Sequence, residues 1–431
     1  MEKCPAYHRT RRLRQRPFSL FKALTRGAVL SCVVKKNFFF LFRLLFLSKD
    51  TRLTTLSFFS SKCSKTTINR LSYFLSLSRA VKKREVFEEI SSLFHLAVNR
   101  AKKRLKDKIY YFEKKKVVFL DWTALAKRCR YKQKKGRGMQ YAGEFYDTRK
   151  KGPVRGYGLL LAGLYLTTKD ILPLSFRLYS NRYISHHPEE KSINKMEEAL
   201  MREIKEKFSS WVIFVGDTQF SKKMYLYIIK KDMKEDFIVR ARFDINVEEE
   251  KRGWENILLI AKKKKKIYRV TWENEERGKF PCKAKFFKAD LFSKKDKKHL
   301  PIYVILIWEE GKEDKPLLIL TSLTVTEDNL QEIVSIYNKR SRIDTLFEIL
   351  KQSFGLERIM VRKWRGIKIM IISCLLSYIL NLYLLLKATK TFFLTIWEFC
   401  RRRSILKGGK LTIGKFSWAI QKMQRSPPVY L

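Results

Sequence analysis

The sequence predicts an α/β fold: a mixed β-sheet with helices on both faces. Three observations carry this. Between residues 117 and 240, short continuous apolar runs alternate with amphipathic stretches, as expected of strands buried on both sides and joined by covering helices. The chain has 431 residues, 45% of them apolar, enough for two or three domains and a substantial core, and it is not disordered by composition. A basic amphipathic helix at 337–351 is followed by an uncharged apolar helix at 369–386, a pairing that closes a core from one side.

Taken in order, residues 1–65 form a basic N-terminal arm, rich in Phe, Leu and Ser and without a clean period: a DNA-contacting arm, an extension that does not fold, or the product of a mis-assigned start. Residues 66–108 read as a helical DNA-binding region. Val86, Ile90, Leu93, Phe94 and Ala97 repeat at helical spacing, and Arg100, Lys102, Lys103 and Arg104 supply a basic face. A packing helix with a solvated basic side fits that pattern equally well.

Residues 109–242 form the first part of the core. Val117–Leu120 is a strand ending at Asp121, and Tyr157–Leu166 and Leu172–Tyr179 are two more. Asn194–Phe208 is a helix, Trp211–Val215 a buried strand with Asp217 just beyond it, Phe220–Lys231 a helix, and Phe237–Val239 a strand ending in Arg240. Residues 243–325 mix a lysine run (262–266) with strand-like pieces and read as a β-rich insertion. Residues 326–390 carry one long helix opening at Glu327 and then the apolar helix that completes the core; 391–431 is a basic tail.

Lys and Arg number 93 against 42 Asp and Glu, a net charge of +51. Such an excess calls for a polyanion, with nucleic acid first and an anionic membrane surface second. A Lys-rich genome bias would normally raise Glu as well, and it does not here. The seven cysteines are scattered without a CxxC pair, and no histidine stands at ligand spacing from a cysteine. Zinc and redox chemistry therefore lack support, and a reduced, cytoplasmic setting fits. Residues 28–47 are interrupted by Lys35, Lys36 and Arg43 and make a poor span. Ile369–Leu386 is uncharged over 18 residues, the minimum for a span, but Ser373, Ser377 and Asn381 favour a buried helix and no membrane role.

Two groups of residues carry chemistry. Tyr337, Arg340, Asp344 and Lys351 fall at i, i+3, i+7 and i+14, one face of a continuous helix. A carboxylate among a phenol, a guanidinium and an ammonium suits a metal ion beside a phosphate. Asp121 and Asp217 each follow a buried strand, where open α/β sheets build their sites. Three carboxylates from two strand ends and a helix can hold a pair of divalent ions for phosphoryl transfer. Taken singly, an Asp after a strand is more often a turn or cap residue.

In these motifs the chain resembles DDE transposases of the insertion-sequence-four (IS-four) type, whose signature is Y-x2-R-x3-E-x6-K. The matching residues are Tyr337, Arg340, Asp344 and Lys351. Phe-Leu-Asp-Trp-Thr gives Asp121, Phe-Val-Gly-Asp-Thr-Gln-Phe gives Asp217, and Phe-Ile-Val-Arg-Ala-Arg (237–242) gives the strand after the second Asp, with Arg240. The resemblance covers about residues 109–390 and implies an RNase H-like (retroviral-integrase-like) core. It also implies Asp121, Asp217 and Asp344 as ligands of two Mg²⁺, with Mn²⁺ as substitute. Tyr337, Arg340, Lys351, Arg240, Lys339 and Arg342 would meet DNA phosphates, with further backbone contacts from Lys262–Lys266, Lys363 and Arg365. The implied partners are double-stranded DNA bearing terminal inverted repeats and a target DNA, handled by a dimer in the nucleoid.

The departures are specific. The third acid is normally Glu, and Asp344 is one methylene shorter; Glu348, one turn on, is the possible substitute ligand. Ser341 stands where a Trp often follows the signature Arg, and Leu317 where a base-stacking Trp often lies, with Trp272 and Trp308 as the nearby indoles. Two other functions stay open: a catalytically weakened DNA-binding derivative acting as a regulator, and a nuclease on the same core that only hydrolyses.

Overall fold

The computed structural model describes residues 83–127, 139–147, 152–186, 192–208, 211–249, 253–274, 277–293, 298–312, 316–359, 361–387 and 413–425, with isolated positions 25–26, 37–42, 71 and 74–75. Nearly all of the expected N-terminal arm, and most of the expected tail apart from a helix at its end, lie outside these residues.

In chain order the elements are α1 (Lys83–Arg104), β1 (Tyr111–Phe112), β2 (Lys115–Ala126), β3 (Gly143–Asp147), β4 (Gly152–Tyr165), β5 (Ile171–Tyr179), α2 (Asn181–His186) and α3 (Ile193–Glu203). There follow β6 (Val212–Gly216), α4 (Lys223–Tyr227), β7 (Asp236–Arg240), β8 (Asn246–Glu248), β9 (Trp254–Asn256), α5 (Ile257–Lys263) and β10 (Tyr268–Asn274). The last are β11 (Gly278–Ser293), β12 (Lys298–Glu309), β13 (Leu317–Thr321), α6 (Glu327–Asn338), α7 (Arg342–Ser353), α8 (Trp364–Lys387) and α9 (Ile413–Arg425).

The strands form one mixed sheet in the order β3-β4-β2-β6-β7-β13-β12-β11-β8-β9, with β5 also on β4, β1 on β2 and β10 on β11. β2, β6 and β7 are parallel at its centre. Val212–Gly216 is wholly buried, which is why its sequence shows no alternation. The strands expected in the insertion continue this same sheet, because β13 pairs with β7 and then with β12.

Two expectations are corrected. Asp121 does not end its strand: β2 runs on to Ala126 against β4, and only its pairing with β6 stops at Leu120. The long signature helix is two helices, α6 and α7, joined by a 3₁₀ turn at Lys339–Ser341. There the Ser341 hydroxyl donates to the Asn338 carbonyl at 3.2 Å, a local bond that competes with helix continuation. As for the two readings of α1, its apolar stripe packs: Val86, Ile90, Leu93, Phe94, Ala97, Val98 and Ala101 are buried in the same core as the sheet.

α8 is buried over 83% of its most apolar window, as a core helix. Three of its polar side chains have their donors matched within the helix, while Asn381 Oδ1 and Trp364 Nε1 stay buried without a partner. Ser373 donates to Ile369, Ser377 to Ser373 and Asn381 to Ser377, each to the carbonyl four residues back. α6 starts at a capping box in which Thr326 and Asn329 each accept the other's backbone N–H.

Candidate active site

The register of the central parallel pair fixes the first two carboxylates. β2 and β6 pair from Lys116↔Val212 to Leu120↔Gly216, and the next residue of each chain is Asp121 and Asp217. Paired strands lie about 4.8 Å apart, so the two acids emerge side by side. The Asp121 side chain is 9% exposed. Its Oδ1 accepts the Trp122 backbone N–H at 2.7 Å, and its Oδ2 accepts Arg340 Nη1 at 2.8 Å. Asp217 leaves the strand as the cap of a 3₁₀ turn, its Oδ1 accepting the Gln219 backbone N–H at 3.0 Å. The turn role weighed against a functional one is therefore real for Asp217, and it uses one carboxylate oxygen.

The third acid arrives through Arg340. This guanidinium sits between two carboxylates, with Nη2 3.9 Å from Asp344 Oδ2. The Asp344 side chain is 51% exposed, against 9% for Asp121. Burial raises the Asp121 carboxyl to about 7; Arg340 opposes that rise, and the charges of Asp344 and Asp217 add to it. Burial works to lower the pKa of Arg340, but Asp121, Tyr337, Asp344 and Asp217 together raise it. All three acids thus act electrostatically on one guanidinium.

Tyr337 is buried at the end of α6. Burial pushes its phenol up, against the charges of Arg340 and Arg240, while Asp217 adds to the rise. Trp272 lies beside it, with ring centroids 6.4 Å apart. Arg240, exposed at the end of β7, faces this group. Lys351 reaches β2 three residues beyond Asp121, donating to the Ala124 carbonyl at 3.0 Å and pairing with Glu357 at 3.1 Å.

Other expected contacts are engaged elsewhere. Lys339 lies over the rings of Tyr110 and Tyr165, at 4.7 and 5.7 Å. Arg342 acts on Tyr165 and Asp170. Glu348 is exposed and accepts from Gln352 at 2.7 Å. In the lysine run, Lys263, Lys264 and Lys266 pair with Glu255, Glu249 and Glu327. Lys363 and Arg365 are exposed ahead of and within the first turn of α8.

The donor set fits a divalent cation in its chemistry. Three carboxylates, one of them raised chiefly by its burial and further by the charges of the other two, leave negative charge that a hard cation would neutralise. Their spacing is not that of a finished site. Among the described residues, no three acidic, histidine or cysteine side chains are grouped to hold a metal. Two features explain this: Asp344 has a short, exposed side chain, and Arg340 stands between it and Asp121.

A family model described as "Transposase DDE domain" matches residues 113–380, well over half of the chain and inclusive of all three acids. The chain belongs to the DDE transposases. No curated protein matches it. A transposase domain acts on DNA, which accounts for the class of partner that the +51 charge calls for.

In this transposase, two features near the acids escaped sequence reasoning. One is a cleft of about 540 Å³ beside Asp217, lined by Thr218, Gln219, Lys222, Lys223 and Arg242 among others. Its three cations come from the turn after β6 and the segment after β7, and in sequence they look like any basic turn. The other is Glu197, a fully buried carboxylate on α3. Its one sequence signal was an acid at a position i−3 from Leu200 and i−4 from Met201, on the apolar stripe of the helix.

Proposed function

We propose that this DDE transposase is of the IS-four type, with an RNase H-like core, and serves a bacterial or archaeal insertion sequence. It cuts the element's ends and joins them to target DNA by phosphoryl transfer. The observation that supports this best is the adjacent exit of Asp121 and Asp217 from the parallel β2–β6 pair, with Arg340 spanning from Asp121 to Asp344. The strand order supports the core assignment, since three parallel strands carry the first two acids at one end.

Asp121, Asp217 and Asp344 would hold two Mg²⁺, with Mn²⁺ as substitute. The ions would supply an activated water or sugar hydroxyl and neutralise the leaving oxygen. The chain's own residues do the rest. Arg340, Arg240 and the Tyr337 hydroxyl bind the phosphate entering beside Asp121. Lys351, tethered to β2, places a second cation further along the strand. Lys222, Lys223 and Arg242 line the approach to Asp217 and hold backbone without reading sequence. Two ends brought together imply a dimer on DNA, acting in the cytoplasm at the nucleoid.

A second reading has its own observation. The exposure of Asp344 and the guanidinium between it and Asp121 favour a weakened enzyme that binds element ends and regulates. One experiment separates the readings: the full chain is incubated with a labelled oligonucleotide carrying the element's end, in Mg²⁺ and in Mn²⁺. The transposase gives nicked and joined products, and Asp217→Asn lowers them by more than about 100-fold while end binding in EDTA persists. Binding without cleavage in either metal supports the regulator. Nicking without joining supports a hydrolytic nuclease.

A further inference from the structure

Glu197 is fully buried on α3 and has no place in the chemistry described so far. A carboxylate is costly to bury unless several donors meet it, and here three do. Oε1 accepts Trp122 Nε1 at 2.6 Å and Gln219 Nε2 at 2.6 Å, and Oε2 accepts the Tyr225 hydroxyl. The first two donors are not arbitrary. Trp122 directly follows Asp121, and its backbone N–H is bound by Asp121 Oδ1. Gln219 lies two residues past Asp217, and its backbone N–H is bound by Asp217 Oδ1. One buried carboxylate therefore holds, by their side chains, the two residues whose backbones orient the two acids. Tyr225 ties the same carboxylate to α4, so the point is fixed from β2, the turn after β6, α3 and α4.

We propose that Glu197 is a positioning residue for the reaction, setting the separation and orientation of Asp121 and Asp217 through Trp122 and Gln219. Glu197 touches neither acid and coordinates nothing itself. Glutamine could keep both tethers on its amide oxygen and turn its NH₂ to the Tyr225 hydroxyl, which can accept it while donating to Asn194 at 3.0 Å. Methionine fills much the same space and accepts no strong hydrogen bond, so it releases Trp122 and Gln219 together. This role rests on the reading of Asp121 and Asp217 as metal-holding acids.

The test uses the full-length chain and Mn²⁺ alone, without DNA, with binding followed by electron paramagnetic resonance and folding by circular dichroism and thermal melting. Glu197→Met is expected to remain folded, to bind element ends in EDTA as wild type does, and to weaken Mn²⁺ binding by about 10-fold, the lower end of the effect of losing an outer-shell partner, since Glu197 acts on the acids through one further residue. Glu197→Asp restores part of that affinity. Trp122→Phe weakens it in the same direction, and Trp122→Phe with Glu197→Met is no weaker than Glu197→Met alone, because Glu197→Met has already released Trp122. Should Glu197→Met not fold, Gln219→Met, which removes the second tether from a partly exposed site, carries the same expectation. Wild-type Mn²⁺ affinity in a folded Glu197→Met or Gln219→Met, or additive losses in the double variant, overturns the positioning role. Wild-type chain that binds no Mn²⁺ overturns the metal-holding reading beneath it; wild-type binding matched by the variants overturns the positioning role alone.

Discussion

At the scale of single residues, Asp121 and Asp344 show how one residue type takes different states. Asp121 is buried, and burial sets its carboxyl at about 7, above the ordinary value of 3.8, with the nearby acids adding to the rise. A carboxyl raised on folding favours the folded state while protonated. Its contribution is fully present below about pH 4 and is lost as pH rises through about 7. Asp121→Asn should therefore melt a few degrees above wild type at pH 8, with the difference fading towards pH 4, as read by thermal melts in metal-free buffer. Asp344 faces the opposite limit, exposed and short. Asp344→Glu adds the missing methylene, and cleavage of an end oligonucleotide should rise by about 10-fold or more, since small misplacements of reacting groups are expensive. No change would argue that residue 344 is not a ligand.

At the scale of elements, the two acids on the sheet are placed by strand register, and the turn after β6 decides where Asp217 points. That turn is wedged by Phe220 against Gly216. A Cβ at 216 would lie 2.6 Å from the Phe220 ring. Gly216→Ala should cost about 1–3 kcal/mol by overpacking and reduce cleavage more than its loss of stability accounts for, because the shifted ring moves the cap of the turn. Denaturant melts beside the oligonucleotide assay check both. The signature segment keeps its facing despite its break. The 3₁₀ turn at Lys339–Ser341 keeps right-handed backbone angles, so Tyr337, Arg340 and Asp344 still face the β2–β6 end. α8 shows the converse case, an element apolar enough to span a bilayer that serves as the core's central helix.

At the scale of the whole molecule, a single hydrophobic core runs from α1 through the sheet to α9. Cations surround it. Many of them are matched, as in the lysine run and the Arg177–Glu203 pair, but 93 cations against 42 acids leave a large surplus for a polyanion. DNA affinity should fall steeply with salt, the log–log slope growing by about 0.9 for each phosphate neutralised. A titration of end DNA between low and physiological salt measures it, and a flat response would contradict the electrostatic basis of binding. The helix of the expected DNA-binding region and the expected β-rich insertion are both parts of the fold, because α1 buries its apolar stripe in the core and the 243–325 strands extend its sheet.

The sequence alone determined the buried strands, the core helix, the polyanionic partner and the motif around Asp121, Asp217 and Asp344. Each of these is written in local pattern: continuous apolar runs, uncharged length, charge surplus and fixed spacing. It misread the end of β2, because pairing with β4 outlasts pairing with β6 and no single strand records its neighbours. It read one helix where a 3₁₀ turn at Lys339–Ser341 divides two. Only the tertiary structure could set Asp121 beside Asp217, place Arg340 between Asp121 and Asp344, and bring Glu197 under both Trp122 and Gln219. Apart from the local Arg340–Asp344 pair, those contacts join residues 22 to 219 positions apart, and what decides them is sheet register and packing, which periodicity along a chain does not encode.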